Sequence, residues 1–305
     1  MNVFTCVHNI SSPFESAIAL GLFDGVHLAH REIINSVLKN SKRFIPTVFT
    51  FTLSEGQNKG NTFQKPLMSV DERIAEIEKM GVQQLLMPPF DEIKNLTAEE
   101  FFYDVLLLKM KAKFLACGYN FRFGKGNLGD VGLLKALCEK EGIELFVADE
   151  MTFEGKTVSS TFIRECLKNG EIEKANKMLC TPYTLNGKIV HGNRLGRKLS
   201  FPTINQLLDT AKADLRYGVY LSKAVIEERE LYAVTNVGIK PTVNGKVPMA
   251  ESHLIDFDGD VYGKNAKVKL LRFLREEKCF CSVDELKTAV MDDIKKAKEM
   301  ILENT

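Results

Sequence analysis

The first half of the chain alternates short apolar runs with amphipathic stretches. Ala17-Ile18-Ala19-Leu20 reads as a buried strand, broken at Gly21 and Gly25. From His27 to Lys39, Ile33, Ile34, Val37 and Leu38 fall on one helical face. Pro46 to Phe51 is β-branched and aromatic, the composition of a second strand. Asp71 to Met80 then reads as a helix stopped by Gly81, and Val82 to Met87 as a strand stopped by Pro88-Pro89. Helix Ala98–Met110, strand Lys113–Cys117, helix Leu133–Glu141 and strand Leu145–Val147 complete the run. Strands alternating with helices of this length imply parallel βαβ units in an open α/β sheet. Such sheets bind ligands at the carboxyl ends of their strands.

After Thr181-Pro182 the period changes. Short strands dominate: Tyr183–Val190, Val219–Ile226, Leu231–Val237, Ser252–Phe257 and Ala266–Phe273. Their spacing suits a small antiparallel barrel. A last helix opens on Ser282 with Glu285 behind it, a capping-box pattern. Val283, Leu286, Val290, Ile294, Ala297 and Ile301 give that helix its apolar face. The change of period places two domains at residues 1–181 and 182–305. No internal repeat or low-complexity segment interrupts them.

Composition excludes several classes. With 305 residues, 45% apolar and 27% charged, the chain is an ordinary globular sequence rather than a disordered one. Lys and Arg total 41 against 40 Asp and Glu, so no basic field recruits nucleic acid or a membrane surface. No apolar run is long enough to span a bilayer, and Met1-Asn2-Val3-Phe4 does not begin a secretory signal. The seven cysteines include one close pair, Cys279 and Cys281, with no second pair to complete a zinc site. Reduced, mostly buried thiols in a cytoplasmic protein are expected. No oligomeric state is read from the sequence.

Chemistry enters at Gly21-Leu22-Phe23-Asp24-Gly25-Val26-His27-Leu28-Ala29-His30, where a strand turns into a helix. Glycines allow a tight turn, and a helix N-terminus presents N–H groups and a positive dipole end to phosphate. His27 and His30 share one face near that end and can donate to phosphate oxygens. By spacing alone they could equally be surface residues or ligands of a metal lacking its third partner. The full ten-residue run is similar to the G-x-F-D-G-x-H-x-G-H signature of the nucleotidyltransferase superfamily, and especially of its flavin-adenylating branch. Val158-Ser159-Ser160-Thr161-Phe162-Ile163-Arg164 resembles that branch's I-S-S-T-x-I-R segment. Hydroxyls at a helix start plus an arginine suit polyphosphate and departing pyrophosphate, while Ser-Ser-Thr alone also reads as an N-cap. Gly118 to Gly126, with Asn120 inside it and Asp130 behind it, resembles a G-x-[DN]-F-x-F-G…G-D loop. In the family this loop lines the nucleotide and flavin cleft.

A second constellation lies in the barrel half. Gly187, Gly192, Gly196 and Arg197 form a glycine-rich, basic stretch able to wrap polyphosphate with backbone N–H groups. It runs into Phe201-Pro202-Thr203-Ile204-Asn205, where Thr203 and Asn205 face one side and offer hard oxygens to Mg²⁺. Together these resemble the riboflavin kinase signature G-x-V-x-x-G…G-R-x-L-G-F-P-T-A-N. Asn236 to Thr242 resembles N-I-G-x-R-P-T, and Ala250-Glu251-Ser252-His253 resembles V-E-x-H. The matching Glu in the family accepts the proton of the ribityl hydroxyl, a role suited to a carboxylate within reach. By itself, a Glu before a strand is usually solvent-facing. Leu274-Arg275 opens a segment resembling L-R-x-E-x-K-F, which closes over the flavin, with Arg275 as the contact.

These segments resemble the bacterial bifunctional riboflavin kinase/FMN adenylyltransferases over nearly the whole chain. The resemblance implies a Rossmann-like nucleotidyltransferase α/β domain, then a six-stranded antiparallel riboflavin kinase barrel with a C-terminal helix. It implies ATP as co-substrate, Mg²⁺, and passage from riboflavin to FMN to FAD. It assigns Glu251, His27, His30 and Arg164 to catalysis. ATP and phosphate fall to Gly21, Phe23, Asp24, Gly25, Ser159, Ser160, Thr161, Gly187, Gly192, Gly196 and Arg197. Asn120, Asp130 and Arg275 are assigned to flavin, and Thr203 and Asn205 to the metal. Three positions depart from the pattern. Ala29 stands between the histidines where the family has glycine, and Ser200 replaces the glycine before Phe-Pro-Thr. Phe51-Thr52-Leu53-Ser54-Glu55 replaces F-E-P-H-P, putting Ser54 in place of a histidine. Two further readings stay open: a riboflavin kinase with a degenerate first domain, and a non-catalytic flavin-binding regulator.

Overall fold

The computed structural model describes residues 1–7, 12, 14–53, 64–190, 203–242, 245–257 and 259–303. Two compact units emerge, Met1–Phe162 and Ile163–Thr305.

The first unit is built on a parallel six-stranded sheet. Its strands are β1 (Asn2–Phe4), β2 (Ser16–Leu20), β3 (Ile45–Phe49), β4 (Gln84–Leu86), β5 (Ala112–Gly118) and β6 (Glu144–Ala148), in the order β1-β4-β3-β2-β5-β6. Every residue of β2 is buried, as expected of a central strand covered on both faces. The crossovers carry α1 (Leu28–Leu38), α2 (Val70–Lys79), α3 (Ala98–Glu100) and α4 (Val131–Glu141). The helix expected over 98–110 is present, but from Phe101 to Lys109 it is π-helical. Capping boxes start α2 at Ser69 with Glu72 and α3 at Thr97 with Glu100. From β2 the chain moves one way to β3 and β4, then returns to β5 on the other side. The order of connection therefore reverses between β2 and β5, and the crevice outside their carboxyl ends is where such sheets bind ligands. A small hairpin, β7 (Thr152–Phe153) with β8 (Lys156–Thr157), precedes α5 (Ser160–Asn169).

The second unit is a closed antiparallel barrel. It is formed by β9 (Thr184–Val190), β10 (Thr203–Leu207), β11 (Gly218–Ile226), β12 (Arg229–Thr242), β13 (Gly245–Leu254) and β14 (Asn265–Glu276), in the order β10-β13-β12-β11-β14-β9. Closure leaves no free edge. Buried hydroxyls of Ser222, Thr235 and Ser252 bond in a chain across three strands. Gln206 Nε2 donates to Gly187 O at 2.9 Å and to Ala266 O at 2.8 Å, joining β10 to β9 and β14. The final helix α7 (Val283–Leu302) follows α6 (Ile172–Leu179) in chain order and packs Ile294, Ala297 and Ile301 against Val219, Leu221 and Val234.

Several expectations need adjustment. Contacts group α6 with the barrel, because the Asn176 side chain donates to Leu270 O and accepts from Tyr183 N. The Ser282 cap forms, with its hydroxyl accepting from Glu285 N–H. The Glu285 carboxylate takes the N–H of Cys281 rather than of Ser282, so the reciprocal half of the box is shifted by one residue. Val283 is exposed. The thiols are all free, but only Cys117, Cys138 and Cys166 are buried. Cys180, Cys279 and Cys281 are exposed.

Candidate active sites in the two units

The first site forms where β2 ends. Leu20 delivers the chain to a turn with φ of +53° at Phe23, +89° at Gly25 and +41° at Val26. A β-branched residue at positive φ is strained, and strain of this kind persists only where the surroundings hold it. Here the carboxylate of Asp24 accepts from Leu67 N at 2.9 Å, and Ser160 Oγ donates to Asp24 O at 2.8 Å. Thr50 Oγ1 and Arg73 Nη1 both donate to Leu22 O at 2.8 Å. Burial pulls the Arg73 guanidinium below its ordinary value, with the negative charge of Asp24 countering.

The turn leads to α1, whose N-cap is His27. No side-chain cap and no acidic residue occupies its first turn. Those N–H groups and the dipole suit an anion. His27 is 4% exposed, and its ring stacks on His30 with 3.6 Å between centroids. Phe23, fully buried, packs edge-on to His30 at 5.2 Å. So Gly21, Phe23, Asp24, Gly25, His27 and His30 converge on one strand-to-helix junction. The neighbouring hydroxyls serve the protein framework. Ser159 Oγ caps α5 by accepting from Phe162 N, Ser160 secures Asp24, and Thr161 Oγ1 lies 3.4 Å from Gln64 Oε1. Arg164 is carried further along α5, in the second unit.

Beside this turn is a cavity of about 290 Å³, lined by Gly21 and by Phe49, Phe51, Phe90, Phe101, Phe121 and Phe123, with Lys94, Asn95 and Arg122 among its polar lining residues. The loop carrying Phe121 and Phe123 was expected at the cleft, but Phe49, Phe51, Phe90 and Phe101 were missed. Phe49/Phe51 and Phe121/Phe123 are spaced by two, so each pair faces one way, and that was the available signal. Asn120 and Asp130 do not line this cavity. Asp130 caps α4 by accepting from Leu133 N and pairs with Arg122 at 3.4 Å. Ala29 sits in the first turn of α1. Ser54 and Glu55 lie outside the described residues.

The second site is on the barrel's outer face. Glu251 lies inside β13, not ahead of a strand, because β13 begins at Gly245. Register places Asn205 opposite Glu251, Glu251 opposite Asn236, Asn236 opposite Val219, and Val219 opposite Arg275. Thr203, two residues from Asn205, sits opposite His253. One row across the sheet therefore joins the residues assigned to metal, base and flavin. A second cavity of about 290 Å³ lies between this face and α7, lined by Thr203, Asn236, Glu251, His253, Arg275 and Phe280 among others. Leu286 and Val290 of α7 form its far wall. The Glu277 side chain lies close over the Gly238 backbone at the edge of this face. Arg275 reaches the cavity, but its fork is already engaged: Nε and Nη2 donate to Asp293 at 2.9 and 2.7 Å. Asn205 is 3% exposed, and its Oδ1 has no hydrogen-bond partner among the described residues. A buried hard oxygen of this kind fits a hard cation. Gly187 bonds within the barrel through Gln206, while Gly192, Gly196, Arg197 and Ser200 lie outside the described residues.

Residues 9–162 match the FAD synthetase family and residues 179–301 match the riboflavin kinase family. The chain is 33% identical over 306 aligned positions to the bifunctional riboflavin kinase/FMN adenylyltransferase of Escherichia coli K12, covering 98% of this chain and 97% of that one. The chain belongs to the bifunctional riboflavin kinase/FMN adenylyltransferase family. A family member from Bacillus subtilis is 31% identical over 93% of this chain and 92% of its own length. Among solved structures, one described as the macrolide-efflux protein of Streptococcus pneumoniae superposes with a TM-score of 0.88. It is 27% identical, over 97% of this chain and 98% of that one. Among the described residues here, no helix is long and apolar enough to cross a membrane. The family's two halves correspond in order to the parallel sheet and the barrel.

Proposed function

We propose that the chain phosphorylates riboflavin to FMN in the barrel unit and adenylylates FMN to FAD in the parallel-sheet unit, using ATP twice. The observation that carries this reading is that each unit holds its own cavity of about 290 Å³ beside groups suited to phosphorus transfer. Functionally, residues 1–181 are assigned to adenylylation and 182–305 to the kinase, in the cytoplasm.

In the barrel, Glu251 accepts the proton of the ribityl 5′-hydroxyl as that oxygen attacks the γ-phosphorus and ADP leaves. Thr203 and Asn205 would hold Mg²⁺, which would supply positive charge against the phosphates. Val219, Val234 and Phe280 offer apolar surface to the isoalloxazine ring. Arg275, fixed by Asp293, orients the segment that covers it. In the first unit, the FMN phosphate attacks the α-phosphorus of ATP and pyrophosphate leaves. His27, His30 and the first N–H groups of α1 donate to phosphate oxygens as charge builds. The phenylalanine-lined cavity takes the flavin ring, with Arg122 and Lys94 at its polar edge.

The test is product analysis. The protein is incubated with ATP and Mg²⁺, with riboflavin in one series and FMN in another, and the flavins are separated by chromatography. FMN and FAD from riboflavin, and FAD from FMN, are expected. FMN alone would identify a riboflavin kinase with a degenerate first domain, and flavin binding without turnover would identify a regulator.

A further inference from the structure

We propose that Arg73 is a positioning residue for adenylyl transfer, holding the Phe23–Val26 turn in the backbone shape the nucleotide site needs. The proposal rests on adenylyl transfer by the first unit. Arg73 lies on α2, outside every motif the sequence displays. It is 7% exposed. Nη1 donates to Leu22 O at 2.8 Å, and Nη2 donates to Phe51 O at 3.0 Å and lies 3.2 Å from Met87 Sδ.

Leu22 and Phe51 lie just beyond the carboxyl ends of β2 and β3. A single planar fork thus fixes two neighbouring strand ends at the mouth of the crevice, a geometry that guanidinium offers and an ammonium does not. A buried charge is costly unless fully hydrogen-bonded, so packing alone gives no reason for an arginine here. The turn does give one. Phe23 and Val26 are both at positive φ, and restraints hold the carbonyls on either side of Phe23. Arg73 and Thr50 fix Leu22 O ahead of the turn. Ser160 fixes Asp24 O within it, and Leu67 N–H fixes the Asp24 carboxylate. If the Leu22 carbonyl rotates, the strain can relax and carry His27 and His30 away from the phosphates. A displacement of about 1 Å at a reacting site costs about 100-fold in rate.

The test compares Arg73→Met, Arg73→Lys and Thr50→Val. FAD formation from FMN is measured as kcat and KM, with FMN formation from riboflavin and thermal melting followed on the same preparations. Arg73→Met is expected to lower kcat for FAD formation by about 100-fold with KM for FMN little changed. Arg73→Lys, which keeps the charge but loses the planar fork, is expected to recover part of that loss. Thr50→Val removes one of the two donors to Leu22 O and is expected to lower kcat by about three- to tenfold. The kinase activity should be unchanged in all three. Wild-type kcat in a folded Arg73→Met protein overturns the proposal. If that variant does not fold, wild-type kcat in both Arg73→Lys and Thr50→Val overturns it. Equal loss of both activities in Thr50→Val also overturns it, as a stability effect. A wild-type protein that makes no FAD removes the reading beneath the proposal and the proposal with it.

Discussion

The imidazoles of His27 and His30 lie face to face, 3.6 Å between centroids and 16° between planes, at the first turn of α1. Phe23 packs edge-on against His30 from the preceding turn. The pair is therefore held by the turn as well as by the helix. His30→Ala removes one phosphate donor and unstacks the other. FAD formation from FMN should fall by about 100- to 1000-fold, the scale of losing one preorganised donor, while FMN formation from riboflavin persists. Unchanged FAD synthesis in this variant would remove His30 from the mechanism. Steady-state rates for both reactions on one preparation decide it.

Asp293 binds the Arg275 fork from the middle of α7, and both side chains are largely shielded from water. Truncating Asp293→Ala leaves the guanidinium without its partner. The expected loss is about 2–3 kcal/mol, under the range for fully buried pairs because 20% of the Arg275 side chain is exposed. The α7 wall of the cavity loosens with it, so KM for riboflavin should rise by about tenfold. FAD formation from FMN should not change. Thermal melting and kinase kinetics together measure the effect.

Glu76 carries a pH signature. Burial pushes its carboxyl up, but the hydrogen bond from Arg31 and the charges of Arg31 and Lys79 outweigh that, so it is held below its ordinary value of 4.5. A depressed carboxylate contributes stability that is fully present above that value and is lost as pH falls through the lower, folded-state value. The difference in melting temperature between the protein and Glu76→Gln should therefore be constant near neutrality and shrink below about pH 4.5. A difference that stays constant down to about pH 3 would contradict the assignment.

Much of this was legible along the chain. The buried run Ala17–Leu20 and the amphipathic face of Ile33, Ile34 and Val37 mark β2 and α1 directly, because period alone separates a covered strand from a half-buried helix. Short elements were harder. β1 has three residues and went unread, because its place in the sheet comes from pairing with β4, which periodicity does not register. Glu251 read as a residue ahead of a strand because the strand was expected to begin at Ser252, whereas β13 begins at Gly245 and pairs Glu251 with Asn205 and Asn236. In the barrel Ser252 is satisfied internally by Thr235. The local motifs marked the catalytic side chains. What they could not mark were groups assembled from distant segments: Arg73 on Leu22 O and Phe51 O, Asp293 on Arg275, and Phe49, Phe51, Phe90 and Phe101 in the first cavity.

Independence of phosphorus transfer in the two units is put to the test by Glu251→Gln. Glu251 shares a sheet row with Asn205 and Asn236 and lines the barrel cavity, so the amide should lower FMN formation from riboflavin by about 100- to 10,000-fold. The same protein given FMN and ATP should form FAD at the wild-type rate. Comparable loss of both reactions would contradict separate sites.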